Sequence, residues 1–197
     1  MRMTRIVYYT STSLDGYLAD AENSLDWLFA VEGGAEAIAE GDAFVSGVTV
    51  LVEGSTTYRW LVEHEDLLAH PDKWQTFYGD RKTFVFTTRD DLPVVPGADV
   101  EFVSGPVSDH IDHILAAAGG GDVWVVGGGA LAAAFAAIGK LDEIHLSIAP
   151  VTLTAGAPLL PAALNSSRLR LVEVHKTGQF IKAKYSLTPA RHPTGGQ

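Results

Sequence analysis

The chain has 197 residues, 47% of them hydrophobic, with 24 acidic against 14 basic residues and a net charge of −10. It contains no cysteine, which excludes disulfides, thiolate metal centres and thiol nucleophiles and fits a reducing compartment. With no Lys/Arg run and no apolar run beyond 130–138, nucleic acid, membranes and signal-peptide targeting are not expected, so the chain reads as one cytoplasmic domain that can hold an anion only in a local pocket.

Residues 5–13 read as a first strand from their β-branched and aromatic content, and the pair Asp15-Gly16 turns the chain. Residues 34–45 place apolar side chains at helical spacing. The run 48–52 is a continuous apolar strand, buried on both faces, that ends at Glu53-Gly54. Ser55 or Thr56 is then placed to cap a helix through 58–62. The polar stretch 63–80, interrupted by Pro71, reads as a long surface connection with one helical turn around Trp74.

Further along, 83–87 and 99–103 are strands, and 108–118 is an amphipathic helix stopped by three glycines. Strand 122–126 runs into Gly127-Gly128-Gly129 and an apolar helix over 130–138. Residues 141–149 form a strand with no helix after it, and 169–176 with 180–187 form a hairpin around Thr177-Gly178-Gln179. The expected class is α/β: one mixed sheet, parallel at its centre and antiparallel at its C-terminal edge, with helices on its faces. Residues 1–188 form the domain, and 189–197 read as a disordered tail.

The glycine loop matches G-x-G-x-x-A between a strand and a helix, where free backbone N–H groups and the helix dipole attract phosphate. Two readings compete: a phosphate cradle, or a turn that lets a small-residue helix pack closely on the sheet. A Rossmann unit is disfavoured, because Asp142 and Glu143 precede the next strand instead of following it. A phosphate-binding P-loop needs a following Lys-Ser/Thr, and a hydrolase elbow needs G-x-S-x-G; neither occurs. His110 and His113 share a helix face, but no third ligand has metal-site spacing, so no metal is expected.

Six motifs follow one another in order: Ser13-Leu-Asp-Gly-Tyr-Leu-Ala19, Ser24-Leu-Asp-Trp-Leu28, Glu53-Gly-Ser-Thr-Thr-Tyr58, Phe86-Thr-Thr-Arg89, Val126-Gly-Gly-Gly-Ala-Leu131 and Leu141-Asp-Glu-Ile-His-Leu-Ser-Ile-Ala-Pro150. The series resembles the dihydrofolate reductase-like family, which includes the C-terminal reductase domain of bifunctional riboflavin-biosynthesis deaminase-reductases. The resemblance spans about residues 5–187. It implies a sheet of about eight strands, a homodimer, and an NADPH-dependent oxidoreductase (NADH not excluded) acting on a small heterocycle, pterin- or aminopyrimidine-like.

Carried over by position, the resemblance puts the cofactor pyrophosphate at Gly127, Gly128, Gly129, Ala130 and Leu131. Gly54, Ser55, Thr56 and Thr57 would offer a second helix start from the opposite side. Thr87, Thr88 and Arg89 would meet the adenosine ribose and 2′-phosphate, and Ser11, Leu18 and Ala19 would flank the nicotinamide. Ser55 stands where the family often has Arg or Lys, with Arg59, Arg81, Lys82 and Arg89 as substitutes for that cation. The turn Leu153-Thr-Ala-Gly156 keeps one of the two glycines in the family's Leu-Gly-x-Gly. Both departures favour the alternative, a non-catalytic nucleotide-binding or assembly protein on the same fold.

For the proton that accompanies a hydride, the candidates are Asp26 and Glu32. Asp26 is in the Asp-Trp motif; Glu32 has the spacing at which dihydrofolate reductases carry their substrate carboxylate. Their bland readings are a helix cap and a solvated charge. Asp15 and Trp27 are the candidate substrate contacts, Asp15 with a competing reading as a turn residue.

Overall fold

A computed structural model describes residues 3–34 and 41–188. Ten strands and six helices occur among them. They are β1 (Ile6–Ser13), β2 (Tyr17–Ala19), α1 (Asp26–Phe29), α2 (Asp42–Val45), β3 (Val48–Gly54), α3 (Ser55–His64), α4 (Asp72–Phe77) and β4 (Lys82–Phe86). After them come β5 (Val100–Val103), α5 (Val107–Ala118), β6 (Asp122–Gly127), α6 (Gly129–Ala137), β7 (Glu143–Ala149), β8 (Ala157–Pro158), β9 (Leu169–Thr177) and β10 (Phe180–Leu187).

Eight strands form one sheet in the order β5-β4-β3-β6-β1-β7-β10-β9. The first six in that order are parallel to one another, and β10 and β9 are antiparallel additions at the edge. This is the expected mixed sheet, parallel at its centre and antiparallel at its C-terminal edge. The run 48–52 is buried apart from Thr49, whose hydroxyl reaches the carbonyl of Ala118 at 2.8 Å. Of the helix expected over 34–45, only α2 is described; residues 35–40, like the tail 189–197, lie outside the described residues.

Side-chain alternation on the central strands divides the core between the two faces. Ile6, Tyr8, Val50, Val52, Val123 and Val125 face α5 and α6, through Ile111, Ile114 and Phe135. Leu51 and Val85 face α3 and α4, through Tyr58, Val62, Trp74 and Tyr78. The stretch 63–80 is therefore not a surface connection. It inserts Leu67, Trp74 and Tyr78 into the second core layer, with Leu67 fully buried. Scattered polar residues around Pro71 hide those three anchors in the sequence. Among the described residues no helix is long and apolar enough to cross a membrane.

The two-stranded pair β2–β8 was not anticipated. It closes the turn after β1 onto the loop after β7. The Asp15 carboxylate fixes that junction by accepting the backbone N–H of Leu153 (3.1 Å), the N–H of Thr154 (2.7 Å) and the Ser13 hydroxyl (2.6 Å). These donors hold its carboxyl below the usual range, the Ser13 hydroxyl first. Asp15 is thus a clasp between loops, in keeping with its reading as a turn residue. Thr154 occupies the position of the missing glycine with φ +63°, a left-handed conformation that is strained for a β-branched residue.

Candidate active site

Because β1, β3, β6 and β7 run in one direction, their C-terminal ends share an edge, and a cleft of about 1190 Å³ opens beside it. Tyr9 and Ser11 of β1, Trp124 and Val126 of β6 and Ser147 of β7 form its floor. Leu18 and Ala19 of β2, with Leu25, Leu28 and Phe29 at α1, form one lip. A stack of Phe29, Trp60 and His64, with Trp60 and His64 centroids 4.3 Å apart, joins α1 to α3 across the opening.

Two helix starts meet at this cleft. α3 begins directly at Ser55, with Gly54 as its extended N-cap residue (φ −86°, ψ 159°) and no side-chain cap. Ser55 and Thr56 are therefore not the cap: β3 runs straight into the helix, so Ser55 is already its first residue. α6 begins at Gly129, capped by Gly128 at φ +97° and likewise without a side-chain cap. The first-turn N–H groups of both helices are thus left to backbone or ligand partners.

Gly127 and Gly129 are required by packing, and Gly128 by its φ of +97°. A Cβ at Gly127 would lie 2.6 Å from the Thr57 hydroxyl, and one at Gly129 would collide with the carbonyl oxygen of Pro158. These close approaches are what bring the start of α6 against α3 and the β8 loop. The close packing of the glycine loop also creates the pair of helix starts. A pyrophosphate fits this donor set, since two dipole ends supply positive potential in a protein of net charge −10.

Of the expected cofactor residues, Ser11, Leu18, Ala19, Thr56, Thr57, Gly127, Gly128, Gly129 and Ala130 line the cleft. Ser55, Thr87 and Thr88 line a separate depression of about 310 Å³ with Phe86 and Gly105. Gly54 and Arg89 line neither cavity, and Leu131 turns inward onto the core. Arg89 follows Thr88 on the rim of the depression, where its N–H donates to the Thr87 hydroxyl at 2.9 Å. Arg81 is engaged by the carbonyls of Val48, Tyr78 and Val45, and Lys82 by Asp99 and Glu101. Arg59 and Arg89 are exposed, with acidic neighbours at 3.9 and 4.0 Å.

The acidic candidates stand elsewhere. Asp26 and Glu32 are exposed and do not line the cleft, and Leu25, not Asp26, occupies the N-cap position of α1. Trp27 packs behind Phe180, and its buried indole N–H has no partner. None of the described lining residues is acidic. His110 and His113 take separate partners, the Ser104 carbonyl and Glu101. Among the described residues no cluster of metal-ligating side chains forms.

Besides Asp122, which pairs with Arg5, two buried charged residues were missed. Glu53, fully buried at the end of β3, has its Oε1 without a partner and its Oε2 3.5 Å from the Tyr78 hydroxyl. Burial pushes its carboxyl up to about 8, against a smaller opposing effect of Tyr78. Lys182 of β10 is the other, with its Nζ 2.8 Å from the Ser147 hydroxyl. An acid at a strand end and a lysine in an alternating strand both read as solvated in the sequence, so burial was their only signal.

A family model described as the RibD C-terminal domain matches residues 4–183. The uncharacterised protein YwjB of Bacillus subtilis is 29% identical over 185 residues, covering 92% of this chain and 97% of that protein. Among solved structures, a putative riboflavin biosynthesis protein from Shewanella superposes with a TM-score of 0.75 at 23% identity, covering 93% of this chain and 99% of that one. Dihydrofolate reductase from Enterococcus faecalis, complexed with NADP(H), superposes with a TM-score of 0.57 at 14% identity, covering 93% and 96%. These structures share the fold.

Proposed function

We propose, for a chain that belongs to the RibD C-terminal domain family, an NADPH-dependent reductase of a small heterocyclic substrate. The observation that carries this reading is the meeting of two uncapped helix starts, at Ser55 and Gly129, beside one apolar cleft. Thr56, Thr57 and residues 127–130 would hold the pyrophosphate, while Thr87, Thr88, Arg59 and Arg89 would meet the adenosine end. Ser11, Leu18 and Ala19 would hold the nicotinamide against the floor.

When bound, the cofactor supplies the hydride; the chain orients two rings and excludes water. The apolar floor and lip provide that exclusion, with Tyr9, Trp124 and Phe180 as flat surfaces for a ring. Asp26 and Glu32, exposed outside the lining, are expected to be dispensable. Turnover within about twofold of wild type in Asp26→Asn and Glu32→Gln would agree, and a hundredfold loss in either would restore it as the proton donor.

A thermal-shift titration tests the cofactor. NADPH at 100 times its dissociation constant should add about 2.7 kcal/mol of stability, and no shift with NADPH or NADH would overturn the reductase reading. We further place a second copy of the chain on β9. This edge strand leaves Leu171, Val172 and Val174 more than half exposed, an apolar edge of the kind that pairs with another chain. Light scattering coupled to gel filtration should give the mass of a dimer; the mass of a monomer would remove this placement.

A further inference from the structure

Glu53 and Asp122 are the buried acids among the described residues, and Asp122 is paired with Arg5. Glu53 has no such cation: among the described residues its Oε1 has no hydrogen-bond partner, and its Oε2 meets only the Tyr78 hydroxyl, at 3.5 Å. It stands where the two helix starts converge. It lies one residue before Gly54, the N-cap residue of α3. In the sheet register it is paired with Gly127 of β6, which leads through Gly128 into α6. Its side chain shares a sheet face with Leu51 and turns toward Tyr78. That face also bears Trp124 and Val126, which with Tyr78 line the cleft. The Glu53 carboxyl is outside that lining, behind the cleft wall and at the root of both helix starts.

A carboxyl in that place acts through its charge. Ionised, it competes with a bound phosphate for the same helix-dipole ends, and little water lies between them to screen the repulsion. Protonated, it leaves both helix starts free for an anion. Burial holds the carboxyl up at about 8, against a smaller opposing effect of the Tyr78 hydroxyl. The other titratable groups that face it keep their protons through that range. Tyr78 is driven well above its ordinary value by burial first and the Glu53 charge second, and Tyr58 of α3 is raised by its own burial. Val85 of β4 and Val126 of β6 bring no charge to this face, nor does Trp74 of α4, whose ring meets Tyr78 edge-on at 4.7 Å. Arg81 turns its guanidinium onto the carbonyls of Val45, Val48 and Tyr78. An apolar residue would continue the run 48–52 without the cost of burying a carboxyl.

We propose that Glu53 makes cofactor binding proton-linked: the paired helix starts take the diphosphate of a dinucleotide while the Glu53 carboxyl is protonated, and release it when that carboxyl ionises. The proposal rests on the cofactor reading of the cleft and adds a control on that same site. A bound anion makes the Glu53 proton harder to remove. Affinity is therefore full below the range in which the free protein's carboxyl titrates, and it falls as pH rises through that range. Glu53 touches no ligand in this account; it sets the potential in which the ligand is held.

NADPH is the probe, with its dissociation constant read by nicotinamide fluorescence at pH 7 and pH 9, both above the second ionisation of its 2′-phosphate at about 6. In wild type the constant should rise about tenfold between those values, as one ionisation near pH 8 requires. In Glu53→Gln it should change less than about twofold, and the variant at pH 9 should bind as wild type does at pH 7. In weakly buffered solution at pH 8, wild type should take up about half a proton per NADPH bound, and Glu53→Gln none. Should Glu53→Gln not fold, Glu53→Met is the second variant, with the same expectation. A rise below about threefold in wild type, a rise that survives in the variant, or binding without proton uptake would overturn the proposal and leave the cofactor reading intact. No NADPH binding at either pH, in wild type or variant, would overturn the cofactor reading and this proposal with it.

Discussion

The two ends of the parallel strands treat their polar groups in opposite ways. At the N-terminal ends, charges are matched. Arg5 reaches both Asp122 and Glu143, Lys184 and His145 also reach Glu143, and the Asp142 carboxylate accepts the Ile6 N–H at 2.7 Å. Burial works to raise the Glu143 carboxyl, yet His145, Lys184 and Arg5 together hold it below the usual range. At the C-terminal ends, β3 and β6 run into helices without side-chain caps, and Glu53 Oε1 has no partner. One sheet therefore has an end that is finished by its own side chains and an end whose donors face a cleft. Ligands of open α/β sheets collect at the second kind of end.

The contrast can be broken most strongly at Gly129. A Cβ there would collide with backbone at Pro158 and Leu159, which cannot swing aside as a side chain would. Gly129→Ala should lower stability by about 1–3 kcal/mol. It should also remove the NADPH thermal shift, because the start of α6 must move. A shift of wild-type size in this variant would detach the glycine loop from the cofactor.

Glu53 gives an effect of similar size with a pH signature. Its folded carboxyl titrates at about 8 against an ordinary 4.5. The folded state thus holds a proton that the unfolded state releases, and stability falls from pH 4.5 to about 8, then levels. Glu53→Gln removes that slope. It should stabilise the protein by a few kcal/mol at pH 8, at roughly 1.4 kcal/mol per pH unit crossed, and change little at pH 4. Melting temperatures at the two pH values check this; an equal change at both would mean that Glu53 does not titrate in that window.

Arg5→Leu attacks the finished end. It leaves Asp122, 1% exposed, without its guanidinium partner. Arg5 itself is a third exposed, so the expected loss is nearer about 2 kcal/mol than the larger cost of opening a fully buried pair. Urea unfolding should show the loss, while NADPH should still raise the melting temperature as it does in wild type. Thr154→Gly is the smallest test. It relieves the left-handed conformation at φ +63° and should stabilise by about 1 kcal/mol; a loss of stability would show that the Asp15 clasp depends on the threonine side chain.

The sheet was legible in the sequence because runs such as 48–52 and 123–126 state burial through their apolar residues; the charge pairing at the N-terminal strand ends was not. The ordered motifs identified both helix starts, though not that Gly127 and Gly129 are demanded by Thr57 and Pro158. That contact is made across the fold, by residues 70 and about 30 positions away. The pair β2–β8 is too short to show a period, with three residues against two. The helical turn around Trp74 was expected, but its burial was hidden because Leu67, Trp74 and Tyr78 are isolated anchors in a polar stretch. Asp26 and Glu32 carried the right chemistry for a proton donor, but spacing alone does not say which way a rim residue faces. Glu53 and Lys182 required the fold, since nothing in the sequence distinguishes a buried charge from a solvated one.

Hydrogen exchange with and without NADPH tests the central claim most directly, because it reads backbone amides at both ends of the sheet at once. Protection should appear at 55–57 and 127–131, while the N-terminal strand ends around Arg5 and Asp122 stay unchanged. Protection that is absent, or that falls away from the two helix starts, would contradict the account.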